Sequence, residues 1–575
     1  MVISEVGIRP HIHDHNGDSA LNPSDEGHLA KGRELSRPLP LLSLETGFFW
    51  TSGQDGHLRI QRCQACLSYL HPPGPICPYC HGREIEVVAV SGHGTVVAFT
   101  VNYHQWLPGM VPPYVIAIVA LDEDDRVRIT SNVIKCPIDQ VRIGMRVQVE
   151  FEEKGDVWLP LFLPLDEPDS PPNPDPPMGQ VRARRVGPKF EDDVIISGIG
   201  ISDVGRRLMR PPLSLTVDAC LGAIEDAGLE LADIDGLATY PGAAPGGMSE
   251  GGVTPLEELL AVHPTWISGG GDTPGPTGAV VNAMLAVSAG LCNHVLCFRT
   301  VWESTSVVLA RSKGTSGQGR VGGDASWRMP FGASSAANWI GMLANRYFHE
   351  FGASREMLGR VAVNARTNAG LNPAAVYREP LSMDDYFDAR MISTPFGLYD
   401  CDVPCDGAVA VVISRREFAA HMVHAPVFVE SVGTQVRERI SWDQSTLTHE
   451  PQVLGPAAHL WSRTDLTIRD VDVSELYDGF TFNCVSWLEA LGFCPIGEAA
   501  SFIGDGTRLS VYGQTPVNTH GGQLSAGRTH GFGFLHEAVV QLRGQGGIRQ
   551  VANARVALVA TGGGTPGGCL LLRCD

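Results

Sequence analysis

The chain has 575 residues, 43% hydrophobic and 18% charged, the balance of a globular protein with roughly two to four folding units. A formal net charge of -20 works against nonspecific binding to nucleic acid or to an anionic membrane surface, since both carry the same sign. No apolar run approaches the roughly 20 residues needed to cross a bilayer, so the expected partner is a small molecule or another protein.

Residues 1–43 are expected to form a flexible segment. The stretch lacks a basic region followed by an apolar one, and lacks an Arg-rich amphipathic pattern, so it does not read as an export signal. His11, His13 and His15 in "HIHDH" could chelate a metal, but a solvated tail is the preferred reading. Of the 14 cysteines, four form one tight cluster and the rest are scattered without disulfide-like spacing, which points to the reducing cytoplasm.

Residues 44–88 read as a helix and a zinc ribbon. "RCQACLSYLHPPGPICPYCHG" places Cys63, Cys66, Cys77 and Cys80 in two CxxC knuckles separated by Pro and Gly, and each knuckle offers two thiolates to one tetrahedral ion. With all four positions filled by protein, a bound Zn²⁺ would be structural and would contribute on the order of 10 kcal/mol to folding. Residues 89–165 read as a small antiparallel OB-type barrel. Its five strands are counted from "HLRIQRC", "GTVVAFTVNY", "YVIAIVALD", "VRITSNVI" and "RVQVEFEEKG".

The proline-rich stretch 166–190 is expected to be an extended linker separating two folding units. Beyond it, residues 191–575 alternate strand-like and helix-like runs, an α/β pattern with a largely parallel, buried sheet. "LELADID" at 229–235 is echoed by "LTIRDVD" at 466–472, each ahead of a strand-like run, which suggests two similar halves packed together.

Two resemblances follow from these motifs. "FFW" at 48–50, "LRIQRCQAC" and "PPGPICPYC" resemble a family of acyl-CoA-associated proteins that join a zinc ribbon to an OB-like barrel, over about residues 44–164. That resemblance implies a domain that partners a thiolase-like protein and helps hold the acyl-CoA. "ISGIGISD", "FGLYDCDVPCDGAVAVVIS", "ELYDGFTFNCVSWLEALGFC", "VNTHGGQLSAGRTHG" and "VALVATGGGTPGG" are similar to the thiolase superfamily, in its lipid-transfer, sterol-carrier-protein branch, across 191–575. This implies a duplicated α-β-α-β-α layered domain and a homodimer formed through sheet edges.

The four working groups of a thiolase are all altered in this sequence. The nucleophilic cysteine falls near Thr273, and the second cysteine falls at Ala560; Cys569 lies past that loop and reads as a buried structural thiol. The "NEAF" segment becomes "YDGF", which puts Tyr477 at the asparagine with Asp478 beside it. The loop that normally carries the histidine becomes "NTHGGQLSAGRT", with His520 at an asparagine position and Arg528 at the histidine.

Some lipid-transfer relatives with this pattern are aldolases that cleave a β-hydroxyacyl-CoA in steroid side-chain breakdown. The resemblance implies a tyrosine where Tyr477 stands and a second where Arg528 stands, so Arg528 is a departure. A retro-aldol reaction needs a base for the β-hydroxyl and donors for the enolate, and no covalent intermediate. On this reading Arg528 lowers the Tyr477 phenol toward neutrality so that it acts as base, and His520 or His530 donates to the enolate oxygen. The bland readings are a packed Tyr477 and an architectural Arg528 paired with Asp478. His536 and Glu537 read as structural, Cys401 and Cys405 in "CDVPC" as incidental, and "TGGGTPGG" as a weak signal for backbone donors.

The expected function is therefore that of an acyl-CoA retro-aldolase, with coenzyme A as part of the substrate and Zn²⁺ in the ribbon. The alternatives are a noncatalytic acyl-CoA or sterol binding and transfer protein, and a thiolase-type acyltransferase using an unrecognised cysteine.

Overall fold

The computed structural model describes residues 37–574 apart from 173, 177, 183–186, 241–248, 272, 314–318, 451 and 563–566. "HIHDH", most of the N-terminal segment and half of "TGGGTPGG" lie outside the described residues. Among the described residues, no helix is long and apolar enough to cross a membrane.

The first sheet joins β1 (Arg59–Cys63), β2 (Tyr69–Leu70) and β3 (Ile85–Ala89), all antiparallel. Its two knuckles close alike: Leu67 donates its N–H to the Cys63 carbonyl at 2.9 Å, and His81 donates to that of Cys77 at 3.0 Å. Both Leu67 and His81 take positive φ, 64° and 60°, which turns the chain sharply enough to bring the second cysteine of each pair back toward the first.

The barrel follows, built from β4 (His93–Asn102), β5 (Tyr114–Leu121), β6 (Asp124–Ser131), β7 (Arg146–Lys154) and β8 (Val157–Pro164). β4 pairs with both β5 and β7 and so curls the sheet on itself. The five strands are not the expected five: "HLRIQRC" belongs to the ribbon, and the fifth barrel strand is β8, "VWLPLFLP". Its strand partner is β7, and on the other side only Phe162 is bridged, donating to the Asn132 carbonyl at 3.0 Å and accepting from Ile134 at 2.9 Å, so the two prolines sit on a nearly open edge.

The proline-rich stretch does not separate two independent units. Three residues of the large domain, β13 (Met391–Ser393), pair with β4 and with β14 (Phe396–Gly397), and so extend the barrel sheet. The helix Ala336–Phe351 lies across β4, burying Ile340, Leu343 and Tyr347 in one cluster with Val97, Ala98, Ile116 and Ile118. Polar bonds seal the joint: Asn338 Nδ2 to Asn102 Oδ1 at 3.0 Å, Thr100 Oγ1 to the Thr394 carbonyl at 2.7 Å, and Arg128 Nη1 to the Ser445 carbonyl at 2.5 Å. Trp50, from the short helix Gly47–Trp50, stacks on Trp327 with ring centroids 4.9 Å apart.

The large domain is built on a nine-stranded sheet. Its strands are β9 (Val194–Ile201), β10 (Gly236–Thr239), β11 (Trp266–Gly269), β12 (His294–Trp302), β15 (Asp406–Arg415), β16 (Val427–Gly433), β17 (Val473–Leu476), β18 (Val556–Thr561) and β19 (Gly568–Arg573). The order is β11-β10-β12-β15-β9-β16-β19-β18-β17. Only the pairs β10–β11, β10–β12 and β17–β18 are parallel, and the other five are antiparallel, so the expectation of a largely parallel sheet is corrected. Strands buried on both faces read as continuous apolar runs whichever way they point, and the sequence pattern therefore does not encode direction.

Reading outward from the β9–β16 junction, β9, β15, β12, β10 on one side repeat as β16, β19, β18, β17 on the other. This is the duplication the echo suggested, and both copies of the motif carry the same capping box, Glu230 with Asp233 and Thr467 with Asp470. Helices Gly275–Ser288 and Phe532–Leu542 each touch strands of both halves and form the middle layer. Pro212–Ala227 covers one outer face, and Leu454–Trp461 with Thr481–Ala490 covers the other.

Candidate functional site

In the ribbon, Cys63 Sγ and Cys80 Sγ lie 3.6 Å apart and Cys66 Sγ and Cys77 Sγ 3.5 Å apart, with all four within 4.8 Å of one another. Thiolates about 2.3 Å from a tetrahedral zinc stand about 3.8 Å from each other, so the cluster fits that ion. Gly82 leaves the room: a Cβ there would meet Cys63 Sγ and Cys80 Sγ at 3.3 Å. The four cysteines form one cluster in the ribbon, and none of them lines the cavity of the large domain.

The second site lies at strand ends of the large domain. A cavity of about 250 Å³ is lined by Tyr240, Asp402, Tyr477, Asn483, Arg528 and His530, with Gly562 at its rim. Tyr240 follows β10 directly and Tyr477 follows β17 directly, so the two tyrosines leave equivalent strands of the duplicated halves. Continued without a gap, the echo reads "LELADIDGLATY" against "LTIRDVDVSELY", and the tyrosines match.

The loop "NTHGGQLSAGRTHG" is shaped to hold Tyr477 in place. Asn518 accepts the Leu476 N–H at 2.7 Å and donates to Asp478 Oδ2 at 2.9 Å, while the Gln523 N–H donates to Asp478 Oδ1 at 2.7 Å. Gly522 has to be glycine, because its φ is 58° and a Cβ would stand 1.9 Å from Asp478 Oδ2. Asp478 is thus spent on the loop; burial raises its carboxyl to about 7. Arg528 is not its partner. Arg528 Nη2 bonds Glu303 Oε1, at the start of the helix Glu303–Lys313, and Nη1 lies 3.3 Å from both carboxylate oxygens of Asp402.

Three of the four expected residues, Tyr477, Arg528 and His530, meet in the cavity. His520 does not line it. Its Nδ1 bonds Glu475 Oε2 at 3.0 Å, and its ring packs edge-on against Phe534, which in turn packs on Tyr477. Burial alone would lower the His520 imidazole, but the Glu475 carboxylate raises it. The expected activation of Tyr477 is corrected as well. Burial, then the neighbouring Asp402 carboxylate, push the phenol above its ordinary value, and the opposing pull of Arg528 does not reverse this. Burial above all keeps the Tyr477 phenol protonated, and Asp402 adds to it.

Asp402, Glu303, Arg299 and Tyr240 were not singled out in the sequence. Asp402 sits inside "CDVPC", directly after Cys401. Burial raises its carboxyl to about 7 against the pull of Arg528, which suits a base working near neutrality. Cys405 donates to the Arg528 carbonyl at 3.5 Å and Cys401 to that of Gly397 at 3.6 Å, and burial raises both thiols. Cys569 is fully buried on β19, and burial raises it too. Among the described residues, no cysteine lines the cavity. Thr273 hydrogen-bonds the Gly275 carbonyl at 3.0 Å beside the first turn of the helix Gly275–Ser288. The structural reading of Glu537 holds in its contacts with Thr519, Gln541 and Arg549.

Comparison with known proteins agrees with this architecture. Residues 50–86 match the ChsH2 rubredoxin-like zinc ribbon domain, 87–152 the ChsH2 C-terminal OB-fold domain, and 434–567 the thiolase C-terminal domain-like family. A steroid side-chain-cleaving aldolase from Thermomonospora curvata is 35% identical over 387 residues, 66% of this chain and 97% of that protein. The chain belongs to the thiolase-like aldolase family. A 17-hydroxy-3-oxo-4-pregnene-20-carboxyl-CoA lyase from Mycobacterium tuberculosis is 34% identical over 388 residues, 66% of this chain and 98% of the lyase. The solved Ltp2-ChsH2(DUF35) aldolase has a TM-score of 0.59 at 33% identity, covering 67% of this chain and 98% of that one. Unlike a working thiolase, this member of the family presents carboxyl, phenol, guanidinium and imidazole groups to its cavity and, among the described residues, no thiol.

Proposed function

We propose that the protein is an acyl-CoA retro-aldolase acting on a bulky β-hydroxyacyl-CoA of the steroid side-chain type. The products would be a ketone or aldehyde and a shorter acyl-CoA such as propionyl-CoA or acetyl-CoA. The observation that carries this reading is the meeting of Asp402, Tyr477 and His530 around one cavity without a cysteine among its described lining.

The Asp402 carboxylate takes the proton of the β-hydroxyl, the oxygen forms the new carbonyl, and the bond between the α- and β-carbons breaks. The electron pair moves onto the thioester carbonyl. His530 and the Tyr477 hydroxyl donate to the resulting enolate oxygen, and Tyr477 gives its proton to the α-carbon; the proton held by Asp402 then passes to the Tyr477 oxygen, which restores both groups. Arg528 keeps its place between Glu303 and Asp402 and steadies the charge of the site. His520 supports the loop from behind Phe534.

Zn²⁺ held by Cys63, Cys66, Cys77 and Cys80 would fix the ribbon against the barrel. The cavity-facing domain would work as a homodimer, for which the outer strand β11, with Ile267 55% exposed, offers an edge with no partner strand among the described residues. None of the 14 cysteines is paired in a disulfide, which suits a cytoplasmic setting.

Incubation with β-hydroxyacyl-CoAs of graded bulk, followed by detection of the carbonyl product, tests the reading. Ligand binding without product would turn it toward transfer, and an acyl-cysteine adduct in the mass spectrum would turn it toward acyltransfer.

A further inference from the structure

His530 enters the cavity with its backbone in the left-handed region, at φ 52°, and its N–H donates to Gln523 Oε1 at 3.0 Å. Its side chain is met from β12 by Arg299, whose Nη2 lies 2.7 Å from His530 Nδ1. A guanidinium offers only donors and keeps its charge in proteins. The Nδ1 atom must therefore present its lone pair, which leaves the single proton of a neutral ring on Nε2.

The surroundings favour that state from every side. Nε2 lies 3.7 Å from Glu303 Oε1, too far for a good hydrogen bond, so its proton is free to reach into the cavity. That carboxylate is already bonded to Arg528 from the loop of His530 itself. The remaining charged group at the cavity wall, Asp402, also faces Arg528. Burial, then the charges of Arg299 and Arg528, disfavour an imidazolium. Arg299 is 4% exposed, and among the described residues its Nε and Nη1 have no partner. A buried guanidinium with idle donors is costly, and its one side-chain bond among the described residues goes to His530.

We propose that Arg299 is a positioning residue that locks His530 as the neutral Nε2–H tautomer and so makes it a hydrogen-bond donor to the enolate oxygen. The role in turnover rests on the retro-aldolase reading; the tautomer does not. It follows that His530 does not titrate in the working range, and the pH dependence of the reaction belongs to another group.

The test uses the full chain labelled with ¹⁵N-histidine, with the His530 signals assigned by their loss in H530Q. The wild type should show Nδ1 unprotonated and Nε2 protonated, unchanged from about pH 5.5 to 9, the range in which an ordinary histidine titrates. Arg299→Met should release the ring to titrate, lower kcat roughly 10- to 100-fold with KM little changed, and add an acidic limb to the kcat profile. Arg299→Lys, which keeps a charged donor, should retain the Nε2–H signal and recover part of kcat; it also serves if the methionine variant does not fold. A protonated Nδ1 in the wild type, or wild-type nitrogen signals in Arg299→Met, would overturn the proposal. If the wild type cleaves no β-hydroxyacyl-CoA, the retro-aldolase reading falls, while the nitrogen spectrum still decides the lock.

Discussion

The two halves of the large domain end equivalent strands on equivalent tyrosines, yet they treat them differently. In the second half, Tyr477 is braced by Asn518 and Asp478 on either side, packs on Phe534, and sits where burial raises its phenol. In the first half, Tyr240 is half-buried and no comparable brace is seen among the described residues. The first half instead supplies the charges, Arg299, Glu303 and Asp402, that clasp Arg528 and His530 from the second. Duplication gave both halves the same scaffold; the division of labour between phenol and charge makes the cavity a site. Neither half holds a complete set.

This contrast predicts a graded response. Asp402→Asn should have the largest effect on turnover, about 10²- to 10⁴-fold, because it removes the base while keeping the shape. As burial raises Asp402 to about 7, the carboxylate is present above that pH and lost below it. Wild-type kcat/KM should therefore rise with pH through about 7, and the rise should vanish in the asparagine variant; a limb that survives the substitution assigns it to another group. Tyr477→Phe should cost about 10²- to 10³-fold in kcat, the range seen when one donor to an oxyanion is lost. Tyr240→Phe should cost roughly tenfold or less, since other donors remain. Equal losses in the two phenylalanine variants would mean the halves contribute alike and would break the comparison.

The smallest effect on turnover should come from zinc. Cys77→Ser, or zinc removal by a chelator, should lower thermal stability markedly, because a structural zinc contributes on the order of 10 kcal/mol. Protein that remains folded should keep most of its kcat, as the cluster takes no part in the cavity. Quenching of Trp50, stacked on Trp327, would report whether the ribbon loosens first.

The knuckles, the barrel and the duplicated domain were legible because each rests on local spacing: CxxC pairs, alternating short strands and a repeated capping motif. Strand β8 was not, since Pro160 and Pro164 argue against a strand until its edge position is known. The sheet's direction was hidden because apolar runs carry no polarity. In the site, Tyr477, Arg528 and His530 could be reached from the thiolase-like motifs. Tyr240 is encoded in the echo as well, five residues past its end, where it aligns with Tyr477. Asp402, Glu303 and Arg299 were not, as long-range folding alone brings residues 299, 303 and 402 to 528 and 530. Burial, with the Asp402 carboxylate, also inverted the expected chemistry of Tyr477, because the pull of Arg528 is smaller than both.

The central claim is that this thiolase-like cavity breaks a carbon–carbon bond without an acyl-enzyme. The most direct measurement is single-turnover cleavage of a β-hydroxyacyl-CoA with an isotopic label in the acyl group, quenched and resolved by mass spectrometry for both small products and intact protein. The account predicts a labelled carbonyl product and a shorter acyl-CoA in equal amounts, with no mass added to the chain at any time. Label that appears on a cysteine before product forms would contradict it.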